Sequence, residues 1–190
     1  DRSPSRGLGD VYKRQTIVCI SRFVPRKGQD QLLRAMPLVR GEFPDTQLLL
    51  IGRGRYRRAL EELADIYCPD AVIQEAESIE TALHAADIFA MPARTRGGGL
   101  DVEGLGIVYL EAQACGLPVI AGNSGGAPET MTEDTGVVVN GSSVQELAEA
   151  VKALLADPQR RLSMGQAGRR HVEAHWTWRI MGQRLRRLMS

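Results

Sequence analysis

Lysine is scarce: of 24 basic residues only Lys13, Lys27 and Lys152 are lysine, and the rest are arginine. A lysine in a loop therefore stands out. The three cysteines, Cys19, Cys68 and Cys115, form no C-x-x-C pair, which removes the usual zinc and redox frameworks and fits a reducing compartment. Net charge is nearly absent, at +1 with 25% charged residues. That balance excludes a global attraction to nucleic acid or anionic lipid, and it excludes an acidic disordered chain. No apolar run approaches the roughly 18 residues that span a bilayer, and no charged-then-apolar leader opens the sequence, so a cytoplasmic location is expected. The phosphate-loop pattern G-x-x-x-x-G-K-[ST] is missing, and Gly52-Arg53-Gly54 has Arg57 where a dinucleotide fingerprint needs its third glycine. His171 and His175 have metal-ligand spacing, but no third ligand is evident and no metal site is expected.

What remains is enough for one globular domain: 190 residues, 43% of them hydrophobic, with twenty glycines clustered beside apolar runs. Asp1 to Gln15 is polar and without strand or helix period, so it reads as a linker or a segment foreign to the domain. From residue 16 to 190, short β-branched runs alternate with amphipathic stretches. Strands are expected at Thr16 to Ser21, Gln47 to Ile51, Val72 to Gln74, Ile88 to Met91, Pro118 to Ala121 and Gly136 to Val139. Helical patterns lie at Gln29 to Val39, Tyr56 to Ile66, Ile79 to Ala85 and Val108 to Cys115, with a short one after Ala127. The alternation predicts an α/β, Rossmann-like, doubly wound, mostly parallel sheet of about six strands with helices on both faces. The last third is helical: Ser143-x-x-Glu146 fits a capping box, Asp157-Pro158 starts another helix, and Trp178 to Met189 is basic and amphipathic.

Ligands of such sheets sit beyond the carboxyl ends of the strands. Three loops qualify. Ser21 to Gly28 offers Arg22 and Lys27 as cations ahead of a helix start, where a phosphate would rest. Arg94 to Glu111 offers a glycine-rich turn, Glu103 in the loop and Glu111 eight residues later in the helix. At ~1.5 Å per helical residue the two carboxylates lie at most about 12 Å apart, suited to vicinal hydroxyls on either side of a pyrophosphate. Gly122 to Glu129 offers Gly125-Gly126 amides to the same crevice. The arginine pairs at 57-58, 160-161, 169-170 and 186-187 are dispersed without aromatic interleaving, so no nucleic-acid partner is expected.

Taken in order, S-R-x-x-x-x-K-G, E-G-x-G-I-V-x-L-E-A-x-A-C-G-x-P-V-I-A and G-G-x-P-E resemble the nucleotide-sugar-binding, carboxyl-terminal half of retaining GT-B glycosyltransferases. Pro92 to Gly104 and His171 to Trp176 resemble the GDP-mannose-dependent mannosyltransferases that act on phosphatidylinositol mannosides. The resemblance implies that Arg22 and Lys27 hold the donor pyrophosphate. Glu103 would hold the transferred hexose, with the amides of Gly104, Leu105, Gly106 and Ile107 nearby. Glu111 would bind the ribose.

It further implies a GDP-mannose donor, no metal, and a lipid-linked acceptor held by a preceding domain for which this chain has no room. Residues Trp178 to Met189 would cross back toward that domain, and peripheral association at the inner membrane face would belong to the full-length enzyme. Alone, such a chain binds donor without turnover. The same architecture also serves nucleotide-sugar epimerases and nucleotide-binding modules without activity. Residues Val72 to Ser78 depart from the glycine turn usual near the nucleobase, which leaves guanine against uracil open.

Overall fold

The computed structural model describes residues 14–75 and 78–189. Of the segment read as a linker, residues 1–13 lie outside that range. Gln15 lies inside it, accepting a hydrogen bond from Gln47 N at 2.8 Å and donating from Nε2 to Leu155 O at 3.3 Å.

Six strands form one sheet: β1 (Thr16–Ile20), β2 (Gln47–Ile51), β3 (Val72–Gln74), β4 (Ile88–Met91), β5 (Val119–Gly122) and β6 (Gly136–Val139). Their order is β3-β2-β1-β4-β5-β6 and every pairing is parallel. Parallel neighbours require crossovers, and helices supply them: α1 (Gln29–Arg40), α2 (Arg57–Tyr67), α3 (Ile79–His84) and α4 (Ile107–Ala114). The stretch after Ala127 is a single 3₁₀ turn, Ala127–Thr130. Three helices close the chain, α5 (Val144–Ala156), α6 (Pro158–His175) and α7 (Trp178–Met189).

The strands β1, β4 and β5 are buried at every position, as a sheet covered on both faces demands. Helix α1 packs against α2 and α5, while α4 packs against α6. Caps fix the ends. Ser143 Oγ accepts from Glu146 N at 3.2 Å, but the Glu146 carboxylate turns to Asn140 N at 2.8 Å instead of closing the expected box. Asp157 Oδ1 accepts from Arg160 N at 2.8 Å, with Pro158 at the first helical position of α6.

The chain runs from β1 outward through β2 and β3, then returns to β4 beside β1 and proceeds the other way. Loops leaving the carboxyl ends of β1 and β4 therefore diverge and leave a crevice. At the opposite extreme, α7 leaves Trp178, Leu188 and Met189 at 86%, 85% and 78% exposure.

Candidate functional site

The crevice is a cleft of about 770 Å³, and it gathers residues from distant parts of the chain. Ile20, Ser21, Arg22 and Lys27 come from the end of β1 and its loop, and Ile51, Gly52 and Arg53 from the end of β2. Glu75 and Ile79 stand beyond β3, while Glu103, Leu105, Gly106, Ile107, Val108 and Glu111 come from the loop and first turns of α4. Arg22 and Lys27, chosen from one motif, and Glu103 and Glu111, chosen from another, thus share one cleft. Gly104 is not among its lining residues; its carbonyl accepts from Gly126 N at 3.0 Å.

Local chemistry explains why each group is there. Buried Gln29, in the first turn of α1, donates from Nε2 to Ser21 Oγ at 2.7 Å and to Arg22 O at 2.9 Å. The loop carrying Arg22 is thereby tied to the helix behind it. Tyr109 is fully buried, meets Phe89 edge to face at 5.9 Å, and donates its hydroxyl to Met91 O at 2.7 Å. Burying such a ring contributes roughly 2–3 kcal/mol and fastens the first turn of α4 to the end of β4. Burial holds the Tyr109 phenol well above its ordinary range, and the nearby Glu103 charge adds to this, so the hydroxyl stays a donor. Gly106 caps α4 at φ +77, where a Cβ would lie 2.5 Å from the Tyr109 ring. Leu105, Gly106, Ile107 and Val108, at that helix start, line the cleft.

Glu103 is held on its backbone side as well. Its N–H donates to buried Ser124 Oγ at 3.1 Å, and Ser124 pairs with Thr95 Oγ1 at 3.0 Å. Gly125, at φ +54, lies so close beneath that a Cβ would fall 1.8 Å from Glu103 O. Gly126 N donates to Glu103 O at 3.2 Å as well as to Gly104 O. The Gly-Gly pair expected to offer amides to a ligand instead gives the Gly126 amide to the Glu103 loop. The sequence could not tell the two roles apart, because both need glycine before a helix turn.

Side chains complete the electrostatics. Lys27 Nζ sits 2.6 Å from Glu103 Oε2, and both residues are buried. Arg26 reaches toward the same oxygen at 3.7 Å and donates to Asp101 Oδ1 at 3.3 Å. Arg94 Nη2 meets Asp30 Oδ2 at 2.8 Å, joining the first turn of α1 to the loop after β4. Sequence reasoning missed Asp30, Arg94 and Ser124, since each acts through a partner remote in sequence, and it missed Gln29, whose side chain folds back on the loop just before its own helix. Cys19, beneath the cleft in β1, is an inert thiol pushed up to about 12 by burial.

The discounted motifs have other uses. Trp176 Nε1 donates to His171 Nε2 at 3.1 Å, which occupies one of the two nitrogens a metal would want. Arg57, Arg58 and Arg169 pair with Glu61, Glu62 and Glu173 on their own helices. Among the described residues, no helix is long and apolar enough to cross a membrane.

An all-parallel, doubly wound sheet in this order, closed by a helical tail, matches the carboxyl-terminal half of a GT-B fold. The chain belongs to the glycosyl transferases group 1 family, whose profile matches residues 6–171. It is 58% identical to a GDP-mannose-dependent monoacylated alpha-(1-6)-phosphatidylinositol monomannoside mannosyltransferase of Corynebacterium glutamicum, over 100% of this chain and 51% of that protein. Identity to the GDP-mannose-dependent alpha-(1-6)-phosphatidylinositol monomannoside mannosyltransferase of Mycolicibacterium smegmatis is 52%, over 97% of this chain and 49% of that one. The chain spans about half the length of these curated relatives. Among solved structures, sucrose-phosphate synthase from Thermosynechococcus elongatus superposes with a TM-score of 0.80 at 31% identity, covering 93% of this chain and 46% of that one. The C-terminal domain of a glycosyl transferase group 1 protein (LpcC) from Francisella tularensis gives 0.72 at 24%, covering 86% and 87% respectively.

Proposed function

We propose that this chain is the donor-binding half of a retaining mannosyltransferase that moves mannose from GDP-mannose to a phosphatidylinositol mannoside or similar lipid acceptor. The observation that carries the reading is the single cleft lined by Arg22, Lys27, Glu103, Glu111 and the first turn of α4. The high identity to two mannosyltransferases over nearly the whole chain supports the choice of donor.

In this reading Arg22, Lys27 and the N-terminal amides of α4 receive the pyrophosphate. Glu111 accepts from the ribose hydroxyls and Glu103 from the hexose. Leu105, Gly106 and Ile107 form the wall between them, with Gly104 behind. Glu75, at the far end of the cleft, suits guanine. A carboxylate accepts from the adjacent N1–H and N2–H₂ of guanine, whereas uracil offers one such donor.

Breaking the glycosidic C–O bond moves negative charge onto the diphosphate and positive charge onto the sugar. Cations fixed in advance stabilise that separation more than the ground state, and a neighbouring carboxylate steadies the oxocarbenium-like ring. No metal is required when two side-chain cations and a helix start perform this task. The acceptor and its domain complete the reaction, and the apolar face of α7 is where that domain would bear.

Calorimetry with GDP, UDP, ADP and their sugars tests the reading. GDP and GDP-mannose should bind in preference to the others, and EDTA should change neither affinity. Preference for UDP would overturn the mannosyl assignment, and no binding at all would overturn the site.

A further inference from the structure

This inference rests on the donor-site reading, in which a diphosphate bound at Lys27 draws it off Glu103. Lys27 Nζ and Glu103 Oε2 are 2.6 Å apart, and their side chains are only 10% and 6% exposed. Opening the pair strips a dry carboxylate of its counter-charge, which is strongly unfavourable unless another cation replaces it.

Arg26 stands where that cation is needed. Its Nε lies 3.7 Å from the same Glu103 Oε2, beyond hydrogen-bond length. That Nε is buried and makes no hydrogen bond among the described residues. The other edge of the guanidinium is already fixed, Nη1 donating to Asp101 Oδ1 at 3.3 Å. The backbone is fixed too: Arg26 O accepts from Arg94 N at 2.8 Å, and Arg94 is anchored on Asp30. A buried donor without a partner is uncommon and costly, and here a carboxylate oxygen that is ion-paired with Lys27 but likewise accepts no hydrogen bond among the described residues lies 3.7 Å away.

We propose that Arg26 is a positioning residue that receives Glu103 when the donor diphosphate draws Lys27 away. One cation replaces another at Oε2, with no proton moved and no covalent bond changed. Glu103 thereby keeps a counter-charge and its aim at the hexose while Lys27 neutralises phosphate. Arg26 must then matter to diphosphate binding only while Glu103 carries charge.

A double-mutant cycle on the intact chain, read by calorimetry with GDP at fixed salt, tests this. Arg26→Gln should weaken GDP by about tenfold when Glu103 is present, and by about twofold or less in the Glu103→Gln background, where only a nearby positive charge is lost. Arg26→Lys should recover part of the loss. Equal cost in both backgrounds, as a merely structural arginine would give, overturns the proposal, and so does no cost in either. Should Arg26→Gln fail to fold by circular dichroism, Asp101→Asn, which frees the tethered edge to follow Glu103, should tighten GDP by about fivefold with Glu103 present and by about twofold or less in the Glu103→Gln background, and an equal change or none in both backgrounds overturns the proposal. If the unaltered chain binds no GDP, the donor-site reading fails first and the exchange falls with it.

Discussion

Replacing Lys27 by methionine while leaving Arg22 intact, and the reverse, separates what the two cleft cations do. Lys27 is buried against Glu103 at 2.6 Å, whereas Arg22 is exposed at the cleft mouth. Losing one charged contact to phosphate costs roughly 1.5–3 kcal/mol, so either variant should weaken GDP by roughly 10- to 100-fold. Stability should divide them. Removing one member of a buried pair commonly costs about 3–5 kcal/mol. Here Arg26, 3.7 Å from the orphaned oxygen, can take up part of the charge, which brings the expected loss to ~2 kcal/mol. For a domain of this size that lowers Tm by about 4–8 °C. Arg22→Ala should stay within about 0.5 kcal/mol of the parent. Adding Glu103→Gln to Lys27→Met should restore much of the Tm without restoring GDP affinity. Calorimetric melts and GDP titrations of the four proteins read every term. Equal Tm losses for the two single variants, or an unchanged GDP affinity in Lys27→Met, would mean that Lys27 neither stabilises Glu103 nor meets the phosphate.

Three further predictions concern other parts of the site. Gly125→Ala must place a methyl 1.8 Å from Glu103 O at φ +54, so it should lose more than ~2 kcal/mol and GDP binding with it. Gly98→Ala, at φ +63 in open space, should lose only ~1 kcal/mol when both variants are melted in urea, and matching losses would mean that the close approach under Glu103 O does not decide the cost. The Cys19 thiol, ordinarily near 9, is held up to about 12 by burial. Because the folded value is the raised one, its contribution is whole below about pH 9 and is lost as pH climbs toward about 12. Between about pH 8 and about pH 10.5 the stability gap between the parent and Cys19→Ala should narrow by ~2 kcal/mol, and a constant gap would contradict the assignment. Glu75→Ala should cut the preference for GDP over UDP by about fivefold in competition binding, and an unchanged ratio would move the base elsewhere.

Strand positions were legible because β-branched runs such as Thr16-Ile17-Val18 and Gly136-Val137-Val138 need no distant information. Ends slipped by a residue where geometry decides. Helix α4 starts at Ile107 and not Val108, since Gly106 at φ +77 provides the cap one position earlier. That Arg22, Lys27, Glu103 and Glu111 would share a cleft was legible because each lies just beyond the carboxyl end of a strand, in a loop or in the first turns of the helix that follows. The supporting groups were not. Arg26 meets Asp101, and Asp30 meets Arg94, across 75 and 64 residues of chain, and no local pattern announces such pairs. Gly125 was legible as a glycine but not as clearance under the Glu103 carbonyl, which only tertiary approach creates.

A crystal structure of the chain with GDP would show whether the nucleotide occupies this cleft. The β-phosphate should lie between Lys27 Nζ and the first amides of α4, the ribose on Glu111, and Glu103 shifted onto Arg26. A nucleotide lodged elsewhere on the sheet, or a diphosphate bound while Lys27 remains closed on Glu103, would contradict that arrangement.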